Sequence, residues 1–326
     1  MSLQWRLLIS IMKWIFTCYT LFALVFAHGQ EIPSPSQNTA SLVTFGPVAG
    51  DSWGDEDKTQ VYIAEVPANH QGAFYVRIWD ADTSGENDQK VKGQFNSTFT
   101  FSVYAISDSE AVTANDPNGE DESGKLLASK TYGAESSIDQ DWVTLGPFFP
   151  QQGGLNSEGS HHIFKILCRG TSGDDGNIYK YFVSSEQNSN SPLQSALLYT
   201  YESTVRLHSK ARVAHFYPFI DESMTALKQY NFDMDNEVDI KVYSKSKMGH
   251  QGKSSADAEW AVESIEVLTP ERLNCYDMRY ENKTLSSDND ITVYYQNQYN
   301  ESVKQMNSPI GDIRFKYSFS VEKRTP

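Results

Sequence analysis

The chain has 326 residues, 39% hydrophobic and 13% aromatic, with 42 acidic against 27 basic side chains and a net charge of −15. Phosphate binding needs a basic footprint, so this balance argues against a nucleic-acid partner. Nothing in the composition names a substrate or a reaction.

Residues 1–29 carry the pattern of a signal peptide. Arg6 and Lys13 precede an apolar run from Trp14 to Phe26, and Ala27-His28-Gly29 follows as an exit. The uncharged run is shorter than the roughly 18 to 20 apolar residues a membrane span needs. The expectation is cleavage just before Gln30, giving a secreted, periplasmic or cell-surface protein with no membrane insertion afterwards. Cleavage removes two positive charges and no negative one, taking −15 to −17. The intact mass of exported protein should therefore lack Trp5 and Trp14; a mass retaining Met1 to Gly29 would indicate a membrane-anchored chain instead.

Residues 30–40 are polar, with two prolines and no periodicity, and predict a flexible leader. From Ser41 onward the pattern has period two, with turn residues between the runs. The predicted strands are 41–45, 59–66, 73–79, 98–104, 125–131, 142–145, 161–168 and 177–183, which together make one β-sandwich over residues 41–184. Along 98–104, Phe99, Phe101 and Val103 alternate with Thr98, Thr100 and Ser102, the signature of one core face and one wet face. Residues 185–195, rich in Ser and Asn, predict a linker. Strands resume at 196–207, 212–219, 239–244, 260–267, 275–280, 291–295 and 312–321, a second sandwich over residues 196–326, and 221–230 is the best helix candidate. The predicted fold class is all-β: two consecutive antiparallel, jelly-roll-like β-sandwich domains after a signal peptide.

Two cysteines follow the signal peptide. An even count in an exported protein invites a disulfide, but Cys168 alternates with Phe164 and Ile166, whereas Cys275 shares a face with Asp277 and Arg279. The expectation is a buried, unpaired thiol at Cys168.

The stretch Asp80-Ala81-Asp82-Thr83-Ser84-Gly85-Glu86-Asn87-Asp88 places oxygen side chains at alternate positions, with a glycine to allow a sharp bend. Hard cations take six to eight oxygen ligands, so Asp80, Asp82, Ser84 and Asp88 are predicted calcium ligands on a hairpin loop. A second acidic stretch offers Asp233, Asp235 and Asp239 as ligands but lacks the turn glycine. Lesser candidates are Asp51, Asp55, Glu56 and Asp57, and the turn at Asp174 and Asp175.

The first loop resembles the calcium loops of integrin-type propeller blades and the front half of an EF-hand. It departs from an EF-hand at Val91, where a bidentate glutamate belongs, and in following a strand rather than a helix. With the segments Thr59–Ala68, Ala73–Asp80 and Phe101–Tyr104, residues 51–105 are similar to pre-peptidase C-terminal modules. That resemblance implies a small secreted β-sandwich stabilised by calcium, accompanying exported hydrolases, and supplies no activity.

Catalytic motifs are weak. Gly50-Asp51-Ser52-Trp53-Gly54 fits G-x-S-x-G, but a strand follows it where a nucleophile elbow requires a helix. Gly249–Ser254 has the end of a phosphate loop, with Lys247 where the first glycine belongs. His161 and His162 are adjacent on a strand and face opposite ways. Tyrosines are concentrated in the second half, and the order Tyr294-Tyr295 puts one ring on each face of its strand, one of them available for stacking on a sugar or a protein partner. The functional expectation is a calcium-stabilised binding or adhesion module, for polysaccharide or a cell-surface protein, with no catalytic residue assigned. The alternative is a secreted polysaccharide hydrolase with Asp233 and Asp235 as acid and base. The two readings differ in geometry, since catalytic carboxyls line an open cleft and metal ligands converge on one point.

Overall fold

The alternation along residues 98–104 becomes a strand with Phe99, Phe101 and Val103 fully buried and Thr98 and Thr100 turned outward. The structure, a computed structural model, describes residues 30–50, 58–113, 115–208, 212–283 and 289–314. Residues 1–29, read above as a signal peptide, the acidic residues Asp51, Asp55, Glu56 and Asp57, Ser52, and most of the predicted strand 312–321 lie outside these residues.

In chain order the strands are β1 (Glu31–Ile32), β2 (Ser41–Phe45), β3 (Thr59–Pro67), β4 (Phe74–Trp79), β5 (Thr98–Ile106), β6 (Lys125–Tyr132), β7 (Trp142–Phe148), β8 (Gly154–Leu155), β9 (His161–Ser172) and β10 (Gly176–Ser184). They continue with β11 (Leu197–Thr200), β12 (Glu202–Leu207), β13 (Val213–Ile220), β14 (Ala226–Phe232), β15 (Val238–Tyr243), β16 (Met248–Gln251), β17 (Trp260–Glu266), β18 (Asn274–Cys275), β19 (Asp277–Asn282), β20 (Asn289–Asn297) and β21 (Gln305–Met306).

They form two antiparallel sheets. The nine-stranded sheet runs β17-β14-β20-β12-β2-β10-β4-β7, with β1 beside β10. The twelve-stranded sheet runs β16-β15-β19-β13-β21-β11-β3-β9-β5-β6, with β8 beside β9 and β18 beside β13. Counting β2 to β7, β9 and β10 as strands one to eight, the first half follows 1-8-3-6 in one sheet and 2-7-4-5 in the other. Counting β12 to β17, β19 and β20 likewise, the second half repeats both orders. Each half is thus an eight-stranded jelly roll. Their first strands pair antiparallel, Val205 opposite Leu42, so both sheets run through residues on either side of 185–195 and are symmetric about that seam.

Apolar side chains from the facing sheets interdigitate in one core. Phe101 meets Tyr132, Tyr179 and Tyr181 edge-on at 6.0, 5.2 and 6.1 Å, contacts worth about 0.5–1.5 kcal/mol each beyond their area. Cys168 lies in this core and Cys275 in a second cluster with Tyr199, Tyr217 and Met306; both thiols are buried and neither is in a disulfide. Burial pushes the Cys275 thiol up to about 12. Thiol labelling should reach Cys168 only after unfolding, and modification of the native protein at that residue would contradict its placement.

Three local expectations are corrected. Residues 221–230 hold no helix: from Ala226 the chain is strand β14, whose core face carries Leu227, Gln229 and Asn231, all 0% exposed. Two polar residues on a core face hid the period of two. The predicted strand 196–207 breaks at Tyr201, where the chain leaves the twelve-stranded sheet for the other. Residues 30–40 are tied down despite their composition. Glu31 and Ile32 pair with Phe182 and Tyr181, Ile32 is buried, and Asn307 bridges the Ser34 N–H and the Glu31 carbonyl. Tyr294 and Tyr295 do face opposite ways: Tyr295 is buried, and Tyr294 stacks on Tyr230 at 4.4 Å.

Candidate metal centres

The loop after β4 is a crossing and no hairpin, because β4 belongs to the nine-stranded sheet and β5 to the other. Asp80 turns the chain at φ 58°. Its N–H reaches the Asp141 carbonyl at 3.0 Å, and its carboxylate accepts the Gln140 N–H at 2.8 Å and the Asn87 amide at 3.0 Å. Cross-strand pairing of Trp79 with Trp142 brings the residues ahead of β7 to this corner. Among them is Asp139, which the sequence reading missed.

One carboxylate oxygen each from Asp80, Asp82 and Asp139 lies within 4.8 Å of the others. Asp80 and Asp82 are 0% exposed. Asp82 Oδ2 accepts the Ser84 hydroxyl and, at 3.3 Å, the Glu135 N–H, while Asp82 Oδ1 and Asp139 Oδ1 are buried without a hydrogen-bond partner. An ionised carboxylate oxygen left without donors loses its hydration for nothing in return. Burial, reinforced by the neighbouring carboxylates, raises the Asp80 and Asp82 pKa values. A divalent cation would supply the missing countercharge, and carboxylate oxygens are the donors calcium prefers. Gly85 serves the cluster twice. Its φ of 85° suits glycine, and a Cβ there would stand 2.5 Å from Asp139 Oδ1.

The other predicted ligands of this loop have different partners. Asp88 accepts the Ser84 N–H and the Ile178 N–H, each at 2.7 Å, fastening the loop to β10; burial pushes its carboxyl up to about 8. Ser84 spends its hydroxyl on Asp82. Asp175, one of the lesser candidates, is a buried cap for the N–H groups of Val91, Asn96 and Ser97.

The second acidic stretch repeats the first in the symmetric place. Asp233, Asp235 and Asp257 bring one oxygen each within 4.8 Å of the others. The frame Trp79-Asp80-Ala81-Asp82 with Asp139-Gln140-Asp141-Trp142 recurs as Phe232-Asp233-Met234-Asp235 with Asp257-Ala258-Glu259-Trp260. Phe232 pairs with Trp260 as Trp79 does with Trp142. Asp233 has φ 57°, its N–H points to the Glu259 carbonyl at 3.4 Å, and its carboxylate accepts the Ala258 N–H at 2.9 Å. Ala81 and Met234, between the paired acids, are both fully buried. Here the ring is more open, with Asp235 and Asp257 exposed, and burial pushes Asp233 up to about 6. Asp239 stands apart on β15, bonded to Lys283 at 2.8 Å. An Asp three residues ahead of a strand-opening Trp, present at both 139–142 and 257–260, was the sequence signal for the third carboxylate of each cluster.

No known protein family matches the chain in a comparison with family models, and no curated protein matches it. Among the described residues no helix is long and apolar enough to cross a membrane.

Proposed function

We propose that the protein is an exported, calcium-stabilised β-sandwich module for binding or adhesion, for polysaccharide or a surface protein, with no catalytic chemistry of its own. The observation that carries the calcium part is the pair of buried, unpartnered oxygens on Asp82 and Asp139 beside Asp80. Calcium at Asp80, Asp82 and Asp139 offsets a repulsion that folding would otherwise oppose, with main-chain oxygens and water completing the shell. The symmetric ring of Asp233, Asp235 and Asp257 takes a second ion more weakly, being more exposed. In each cluster three carboxylates converge on a point, an arrangement that favours metal ligands over the acid and base of a hydrolase.

Terbium, which accepts the same oxygen ligands, tests this through Trp79 and Trp142 beside the first ring and Trp260 beside the second. Excitation of tryptophan should sensitise terbium emission that calcium displaces. Asp139→Asn and Asp257→Asn should each remove part of it. A native protein that gives no sensitised emission would contradict both sites.

A further inference from the structure

The two jelly rolls do not abut directly in the twelve-stranded sheet, because β11 and β21 are inserted between β3 and β13. Over this seam lies a cleft of about 410 Å³, which shares the lining residues Leu197, Met306 and Ile310 with a second hollow of about 460 Å³. Each is within the roughly 300–1,000 Å³ typical of small-ligand sites. We infer that this seam cleft is a saccharide-binding site, an inference that rests on the binding-module reading and assigns it a place and a ligand class.

Glu65 on β3 lines the cleft at 4% exposure. Its carboxylate gathers groups from three separate segments: the Tyr199 hydroxyl at 2.9 Å, the Lys304 ammonium at 3.3 Å and the Asn156 amide at 3.2 Å. Lys304 also sits over the Tyr199 ring at 4.2 Å, while 40% of its side chain faces solvent. A buried acid thereby fixes an accessible ammonium in place. Asp108 and Glu158 stand exposed at the rim, with His161 beside them half-buried.

The floor is apolar, formed by Leu197, Phe219, Met306 and Ile310, above the second hydrophobic cluster. An apolar floor walled by carboxylate and ammonium complements a sugar ring, which has a C–H face and a rim of hydroxyls. Glu65, Asp108 and Glu158 outnumber Lys304, so anionic ligands are disfavoured. The class that fits is a neutral or amino-bearing oligosaccharide.

The test is a printed array of gluco-, galacto-, manno- and N-acetylhexosamine oligosaccharides, neutral and amino-bearing, with uronic and sulfated glycans alongside. The full chain after signal removal would be probed in calcium, and the best sugar titrated calorimetrically. Native protein should bind neutral or amino sugars. Asp108→Ala, Glu158→Ala and Lys304→Ala should each weaken binding about tenfold or more, and Trp260→Ala, on the other sheet, should not. Glu158 is exposed, so its variant reports on the cleft even where Lys304→Ala disturbs folding. No neutral or amino sugar bound, or anionic glycans only, would overturn the proposal. Binding lost on Trp260→Ala but kept in the three cleft variants would overturn the cleft while leaving a binding module. Terbium displacement on the native protein and the three cleft variants, which keep Trp79, Trp142 and Trp260, reads the calcium sites separately.

Discussion

Asp82→Asn should invert its effect on stability with the metal content of the buffer. In chelator the native protein holds a buried carboxylate with one oxygen unpartnered, so the neutral amide should leave stability unchanged or higher. In millimolar calcium the same change removes a ligand charge. Affinity should fall by at least the roughly 10- to 100-fold seen when a partner one shell further out is lost. The native protein should then be the more stable of the two. Thermal unfolding of both proteins in both buffers measures the crossover. Asp82→Asn destabilising equally with and without calcium would show that Asp82 serves only the fold.

The largest stability effect is expected at Glu271, which belongs to neither cluster. Its side chain is fully buried and accepts Lys247 Nζ at 2.6 Å, and the Tyr276 hydroxyl and Leu268 N–H at 2.7 Å each, with the Ser244 hydroxyl on its other oxygen. Burial alone would raise this carboxyl, but these donors hold it below its ordinary value of 4.5. Glu271→Ala strands Lys247, whose side chain is only 12% exposed. The expected loss is about 3–5 kcal/mol, the cost of removing one partner of a buried pair. The pH dependence has a definite sign. A depressed carboxyl contributes stability above about 4.5 that is lost as pH falls through the folded value. The native melting temperature should therefore drop below about pH 4.5, and that of Glu271→Ala should drop less steeply. Parallel acid profiles would show that Glu271 is not the group responsible.

What the sequence disclosed follows from where polarity and periodicity agree. Along β5 the core face is Phe and Val and the wet face Thr and Ser, so the strand was legible. Along β14 two of the core-facing residues are Gln229 and Asn231, and the period vanished into an apparent helix. The paired acids Asp80 and Asp82, and Asp233 and Asp235, were visible because acids two apart on a loop leave a local pattern. Asp139 and Asp257 were not, since only the pairing of β4 with β7 and of β14 with β17 brings them near. Asp88 had the spacing of a ligand, but its oxygens fasten the main chain of the loop to β10. Spacing counts the oxygens available on a loop; the chain's route between sheets decides which of them converge.

Calcium dependence of thermal unfolding tests the central claim most directly. Protein lacking residues 1–29 would be melted in excess chelator and in about 1–10 mM calcium, the range that suits extracellular sites. With a dissociation constant on the order of 10⁻⁴ M, millimolar calcium adds about 1.4 kcal/mol, or about 2 °C in Tm for one cooperative unit of roughly 300 residues. The account predicts that rise in the native protein and its reduction in Asp82→Asn. Superimposable melting curves in the two buffers would contradict it and leave Asp80, Asp82 and Asp139 as an acidic corner that holds no ion.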